Sequence, residues 1–277
     1  MRGALDRFAL LATPGLAYLA IVYALPLMLL LAESLRDAEG VLSVRRYTEF
    51  FADSFNMTVF WRTLRVALMT TLLALVIAYP TAFALARARG WAQTAILVAM
   101  VLPLSVGVIV KAFAWSILFR SNGALNEFLQ WIGLIERPIR LLFTETALVI
   151  GAANVFLPFM VLPIYAVVRQ LDPALGAAAA SLGATPWFRF FRVTLPLTLP
   201  GVVAGSAFVF SLAVSMYVIP SLIVGERQQT LSMLIARSFL FLRDEQLGST
   251  ISALLLVIAV AVVLGSSWLA RRLGSRE

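Results

Sequence analysis

Cysteine and histidine are both missing from this 277-residue sequence, which excludes disulfides, thiol chemistry and the commonest zinc ligands. Lysine is reduced to one residue, Lys111. Charge of either sign is scarce: Asp, Glu, Lys and Arg make up 13% of the chain, against about 25% in soluble globular domains. No G-x-x-x-x-G-K-[ST] stretch occurs, so the chain carries no phosphate-binding loop for hydrolysing ATP. No segment shows the alternation over about ten residues that marks the strands of a membrane barrel. The net charge is +8, yet the basic residues are dispersed through connecting segments, with no basic patch and no nucleic-acid motif. That excess reads as membrane topology.

What the chain has instead is apolar length. Hydrophobic residues make up 61%, and the charged residues leave six uncharged runs, at 8–32, 66–86, 90–110, 146–168, 193–225 and 246–270. The shortest, of about 21 residues, would rise about 32 Å as a helix, matching a hydrocarbon core of about 30 Å. The predicted fold is an all-α integral membrane protein, a single domain over 1–277 embedded in the lipid bilayer. Its six transmembrane helices are expected at about 8–32, 64–86, 93–118, 146–168, 200–219 and 248–270. The first run is too long for a signal-peptide core and no small-residue cleavage site closes it, so it counts as a helix.

The connections carry their own signals. The basic link Arg87-Ala-Arg89-Gly90 suits a cytoplasmic hairpin. Asn122-Gly123 marks a turn, after which Leu125, Phe128, Leu129 and Ile132 fall at i, i+3, i+4 and i+7, predicting a short amphipathic helix at the membrane surface. Pro158 and Pro163 predict kinks in the fourth helix, and Pro220 an end to the fifth. The stretch 228–242 is apolar but short, and a central Arg237 would cost about 2.5–3.5 kcal/mol in the bilayer, so it is not read as a span. Six spans with both termini cytoplasmic place Arg2, Arg7, Arg87, Arg89, Arg169, Arg189, Arg192, Arg271, Arg272 and Arg276 inside, as the positive-inside rule favours.

One polar-punctuated segment, 169–199, interrupts the second half. Asp172-Pro173 is a helix start, an acceptor side chain followed by proline at the first helical position. Alanines continue the helix, and Gly183 sits where a left-handed residue would stop it. Thr185-Pro186 opens a second short helix, with Trp187, Phe190 and Phe191 on one face, expected to brace the loop against the membrane helices. Leu195-Pro196 and Pro200-Gly201 are expected to break the chain before the fifth span. Such a smooth, small-residue element can nest in a groove of another protein or simply pack two hairpins together.

The spacing Ala178-Ala179, then Gly183, then Val193-x-Leu195-Pro196 resembles the EAA motif of permease subunits of ABC importers: Glu-Ala-Ala, three residues, Gly, nine residues, Ile-x-Leu-Pro. The glutamate position is Ala177, which removes one carboxylate contact. The segments Gly123-Ala-Leu-Asn126-Glu127-Phe128, Arg137-Pro-Ile-Arg140, Leu157-Pro158-Phe159-Met160 and Pro163-Ile-Tyr165 are similar to the spermidine/putrescine branch of these permeases. The resemblance implies a bacterial inner-membrane permease that is not itself an enzyme and binds no cofactor, ATP and magnesium being used by a cytoplasmic ATPase dimer. A second permease subunit, a different paralogue, and a periplasmic substrate-binding protein are the other implied partners. It also implies that 169–199 is the coupling loop, with Ala177, Ala178, Ala179, Gly183, Trp187, Leu195 and Pro196 as ATPase-coupling residues.

For the substrate, the resemblance implies a polyamine such as spermidine or putrescine; another small organic solute, a phosphonate or an amino acid derivative, is the alternative. A self-contained channel or secondary carrier would place acidic residues mid-span, and the uncharged runs have none. Candidates for the pathway are Lys111, Asn154, Ser211, Ser215 and Tyr217, each also readable as a helix-packing or snorkelling residue. Glu33, Glu145 and Glu226 lie at helix ends, facing an outer mouth or simply solvent.

Overall fold

The computed structural model describes residues 13–36 and 40–274. The predicted start of the first helix at 8, and Arg2, Arg7 and Arg276, lie outside them. The described residues form helices α1 (Thr13–Ser34), α2 (Arg45–Ala52), α3 (Ser54–Arg87), α4 (Trp91–Ser105), α5 (Val108–Leu118), α6 (Ala124–Trp131), α7 (Glu145–Val168), α8 (Pro173–Ser181), α9 (Pro186–Ser215), α10 (Val218–Ile223), α11 (Leu231–Leu242) and α12 (Glu245–Gly274). Five of them, α1, α3, α7, α9 and α12, are long and apolar enough to cross a membrane, and α4 with α5 makes a sixth if that bent pair is one crossing.

Three departures from the sequence reading have identifiable causes. The third span is not one helix over 93–118: the chain turns extended at Val106 and Gly107, and the two arms meet at 101°. Pro103 and Gly107, four residues apart, loosen the backbone there, because one removes a donor and the other imposes no side-chain constraint. The second span begins at Ser54 rather than near 64, so Arg62 stands on α3 itself and Arg65 well inside it. Helices do not end where charge begins when the charges find partners: Glu145 at the start of α7 receives Arg62 Nε at 3.2 Å and Arg65 Nη2 at 2.6 Å. The third departure is α9. The expected breaks at Pro196 and Pro200 do not occur, because a π turn at Phe190–Thr194, with Leu195 N–H donating to the Phe190 carbonyl, widens the helix just ahead of Pro196. The carbonyl that Pro196 leaves without a donor, that of Arg192 four residues earlier, falls within this wider turn, and the helix continues from Pro186 to Ser215. It stops there, earlier than the predicted 219, and Pro220 lies inside α10.

Other readings match the helices observed. The short helix expected after Asn122-Gly123 appears as α6, and 231–242 forms a helix of 12 residues, about 18 Å, too short to span.

Contacts divide the chain into two units, Met1–Met57 with Leu234–Leu256, and Thr58–Met233 with Val257–Glu277. In the first, Tyr47 donates to the buried Ser34 Oγ at 2.9 Å, Arg46 donates to Gln246 Oε1 at 3.0 Å, and Phe50 is buried. Gly248 lies so close to Phe239 that a Cβ there would fall 2.6 Å from the ring.

The second unit is built around α7, the most enclosed of the five long apolar helices, 61% of its most apolar stretch being buried. Its main partner is α9, and the approach is close because α9 presents Gly201-x-x-x-Gly205. A Cβ on Gly201 would lie 2.9 Å from the Pro163 carbonyl oxygen, and one on Gly205 would lie 3.0 Å from that of Met160. In lipid, where apolar burial does not drive helices together, such backbone approach supplies the packing. Around this pair, α10 packs on α5 and α7, with Ser116 Oγ donating to the Leu222 carbonyl at 3.2 Å. Asn126 is fully buried and clamps the loop after α6, donating to the Arg120 and Ile139 carbonyls and accepting from Ile139 N–H.

Candidate functional site

The segment between α7 and the membrane part of α9 forms as its capping residues dictate. Asp172 Oδ1 accepts from Ala174 N–H at 2.8 Å and α8 begins at Pro173. At the other end Gly183 adopts φ +81° and closes a Schellman turn: Gly183 N–H donates to the Ala180 carbonyl at 2.9 Å and Ala184 N–H to that of Ala179 at 3.0 Å. Thr185 Oγ1 then accepts from Phe188 N–H at 3.3 Å, opening α9. The result is two helices joined at a glycine elbow.

The surface of this elbow is bare. Ala177 and Ala178 are exposed, Ala179 is half-buried, and nothing lies within 4 Å of where a Cβ on Gly183 would be. Leu182 is 89% exposed, and a shallow pocket of about 380 Å³ opens beside it, lined by Ala179, Leu182, Gly183, Ala184, Thr185 and Phe188. Leu195 is half-buried and Pro196 exposed on the following helix. The aromatic residues divide in a way the sequence did not reveal. Phe190 packs edge-on against Tyr79 of α3 at 5.8 Å and so braces the loop, and the Tyr79 and Thr198 hydroxyls share a hydrogen bond at 2.9 Å beside it. Trp187 and Phe191 instead stack on each other at 6.1 Å and remain 73% and 55% exposed, so the expectation that all three brace the loop is corrected.

On the inner side of α8, facing the ends of α3 and α7, lies a cleft of about 530 Å³. Ala177 lines it together with Arg87, Arg169, Asp172 and Arg189.

The proposed pathway residues separate into two groups. Lys111 is half-buried on α5, and Trp115, one turn later on the same face, donates its indole N–H to Asn154 Oδ1 of α7 at 3.3 Å. Asn154 is exposed although most of α7 is enclosed. Trp115, which the sequence did not single out, thus bonds one candidate, Asn154, and stands one helical turn from another, Lys111. Ser211 and Ser215 donate into their own helix, to the carbonyls of Ala207 at 2.8 Å and Ser211 at 2.9 Å. Ser215 and Tyr217 are exposed, and among the described residues no hydrogen bond links them to Lys111 or Asn154. Of the helix-end carboxylates, Glu145 is engaged by Arg62 and Arg65 of α3 and Glu33 lies 3.9 Å from Arg36.

Residues 78–276, which include the elbow, the cleft and both groups of pathway candidates, match the pattern of the family described as the binding-protein-dependent transport system inner membrane component. The chain belongs to that family. Among its relatives, the spermidine/putrescine transport system permease protein PotB of Escherichia coli K12 is 33% identical over 237 residues, 86% of each chain. PotB of Haemophilus influenzae is 32% identical over 253 residues, 89% of this chain and 88% of its own. The fold is also that of a solved bacterial ABC transporter involved in import of the acidic polysaccharide alginate, at a TM-score of 0.74 and 20% identity, covering 98% of both chains. The protein is therefore a multi-pass inner-membrane permease component of an ABC importer.

Proposed function

We propose that this permease imports a polyamine such as spermidine or putrescine, and that α8 with the Gly183 elbow is the loop through which a cytoplasmic ATPase dimer drives it. The observation that carries the coupling assignment is the bare elbow itself: a rigid, doubly capped turn whose small side chains and exposed Leu182 leave an open surface. Exposed apolar surface left open in this way is the kind that marks an interaction site. In this reading the bent α4–α5 pair counts as one of six spans and both termini are cytoplasmic. A second permease, a different paralogue, completes the pathway, and a periplasmic binding protein delivers substrate. ATP and magnesium act in the ATPase; this chain's residues transmit its motion and line the route, with Ala177, Ala178, Ala179, Gly183, Trp187, Leu195 and Pro196 forming or bracing the contact. The polyamine assignment is supported by the two PotB relatives.

A second reading of the cargo, an anionic or zwitterionic solute such as a phosphonate or amino acid derivative, is favoured by the Lys111–Trp115–Asn154 group, which offers a cation and no carboxylate. The decisive experiment is uptake into proteoliposomes holding the permease pair and ATPase, supplied with the binding protein. Labelled putrescine should accumulate with ATP and be competed by spermidine. Uptake that Lys111→Ala abolishes and a phosphonate competes would replace the polyamine reading with the second; failure of any ATPase to co-purify would remove the importer mechanism.

A further inference from the structure

The cleft behind α8 is charged in a way the coupling role does not use. Phe83, Ala86 and Arg87 line it from the end of α3, Arg169 from the end of α7, and Arg189 and Val193 from α9. A second cleft, also of about 530 Å³, shares Arg87, Arg189 and Thr194 with it. Three guanidinium groups thus face one carboxylate, Asp172, which already caps α8. Among the described residues no carboxylate lies within ion-pair distance of Arg87, Arg169 or Arg189. Arg189 Nε is buried without a hydrogen-bond partner, and Arg87 lies over the Phe83 ring, at 5.8 Å.

A buried guanidinium N–H left unpaired costs free energy that an anion would recover. We propose that this cleft binds the phosphate headgroup of an anionic lipid, held by Arg87 and Arg189 with Arg169 at the rim. Three features select a lipid. The arginines sit where two membrane spans end, the depth at which headgroups lie. The remaining walls are largely apolar, so an acyl chain can continue along them. The exposed Trp187–Phe191 stack stands on the same helix as Arg189, in the manner of interfacial aromatic residues. Guanidinium groups bind phosphate oxygens bidentately, and basic pockets between membrane helices recognise anionic headgroups on these terms. A lipid there would wedge α8 against the spans and set the position of the elbow.

The test uses the full chain, purified in mild detergent from membranes containing phosphatidylglycerol and cardiolipin, and examined by native mass spectrometry. Wild-type protein should retain an anionic lipid and not phosphatidylethanolamine, and R87Q/R189Q should retain at least about tenfold less at unchanged elution volume. Should that variant misfold, Ala177→Glu, which adds a competing carboxylate to the cleft and removes nothing, should lower retention as well. Equal retention by wild type and by every folded variant of the two would overturn the proposal. So would stabilisation by inorganic phosphate without lipid retention, which assigns the cleft to free phosphate. Arginine substitutions that release an ATPase while leaving lipid bound would overturn it too, assigning the cleft to an acidic protein side chain. Lipid retention is read independently of ATP hydrolysis and uptake, so its failure leaves the importer reading untouched.

Discussion

Gly201 and Gly205 on α9 and Ala177, Ala178 and Gly183 at the α8 elbow are all small residues, yet the first pair is enclosed and the second group is exposed. At Gly205 a Cβ would meet the Met160 carbonyl oxygen and Sδ, both at 3.0 Å; at Gly183 it would meet nothing within 4 Å. Both are legible as absences of side chain, and the difference lies in what has come to fill the space. In α9 the partner, α7, is part of the same chain. In α8 and its elbow the small surface is capped at both ends and left open, as the proposed ATPase contact requires.

The comparison is broken most directly at Gly205. Leu there would force a backbone shift of α7 or α9, an overpacking cost of about 3 kcal/mol. Gly205→Leu should lose its monodisperse elution peak after extraction; a normal peak with unchanged melting temperature would show that the α7–α9 seam is looser than described.

Gly183→Arg should behave in the opposite way. It places a bulky cation in open space, and its only internal penalty is the left-handed backbone, about 1–2 kcal/mol. The variant should insert and elute normally while ATP-driven uptake is lost, and Gly183→Ala, with the same backbone penalty, should keep most of its uptake. Normal uptake by Gly183→Arg would sink the docking assignment.

The aromatic residues sharpen the distinction on a smaller scale. Phe190, wedged on Tyr79, should cost about 2 kcal/mol of stability when cut to alanine. Trp187, 73% exposed, should cost no more than about 0.5 kcal/mol as serine, while the amount of ATPase retained through purification falls. Thermal melts and co-purification of the two variants separate the roles; a Trp187→Ser melt as low as that of Phe190→Ala would mean both residues brace the fold.

What the sequence revealed follows the same division between local and distant causes. Asp172-Pro173, Gly183 and Thr185-Pro186 are read correctly because capping is a contact within four residues of chain. The spans α7 and α12 are read nearly to their ends because hydropathy is a local sum. The early start of α3, which puts Arg62 on the helix, escapes such a sum because the carboxylate that receives Arg62 and Arg65, Glu145, lies about eighty residues away. The continuity of α9 through Pro196 depends on a π turn that no proline rule anticipates, and Pro103 and Gly107 are visible in the sequence while the 101° angle that they allow is not. The Gly201-x-x-x-Gly205 spacing is visible in the sequence, and only the identity of the facing helix is not. The cleft at Arg87 and Arg189 gathers residues from four helices and has no linear signature at all.

The smallest expected effect falls where the two surfaces of α8 meet, at Ala177, the glutamate position of the family's motif. It is exposed on the elbow side and yet lines the arginine cleft, so a carboxylate restored at this position has two sets of claimants. If Arg87 or Arg189 captures it, Ala177→Glu should raise thermal stability by less than about 1 kcal/mol, since a part-exposed ion pair is screened, and salt should erase the gain. If the ATPase captures it instead, the melting temperature of the isolated permease should stay constant while co-purification of the ATPase rises. Because the arginines are already present and, among the described residues, none is paired with a carboxylate, the first outcome is expected, and measuring the melt at low and high ionic strength decides it. A salt-independent increase would mean that the introduced side chain stabilises the protein by packing rather than by charge, and would remove the electrostatic account of the cleft.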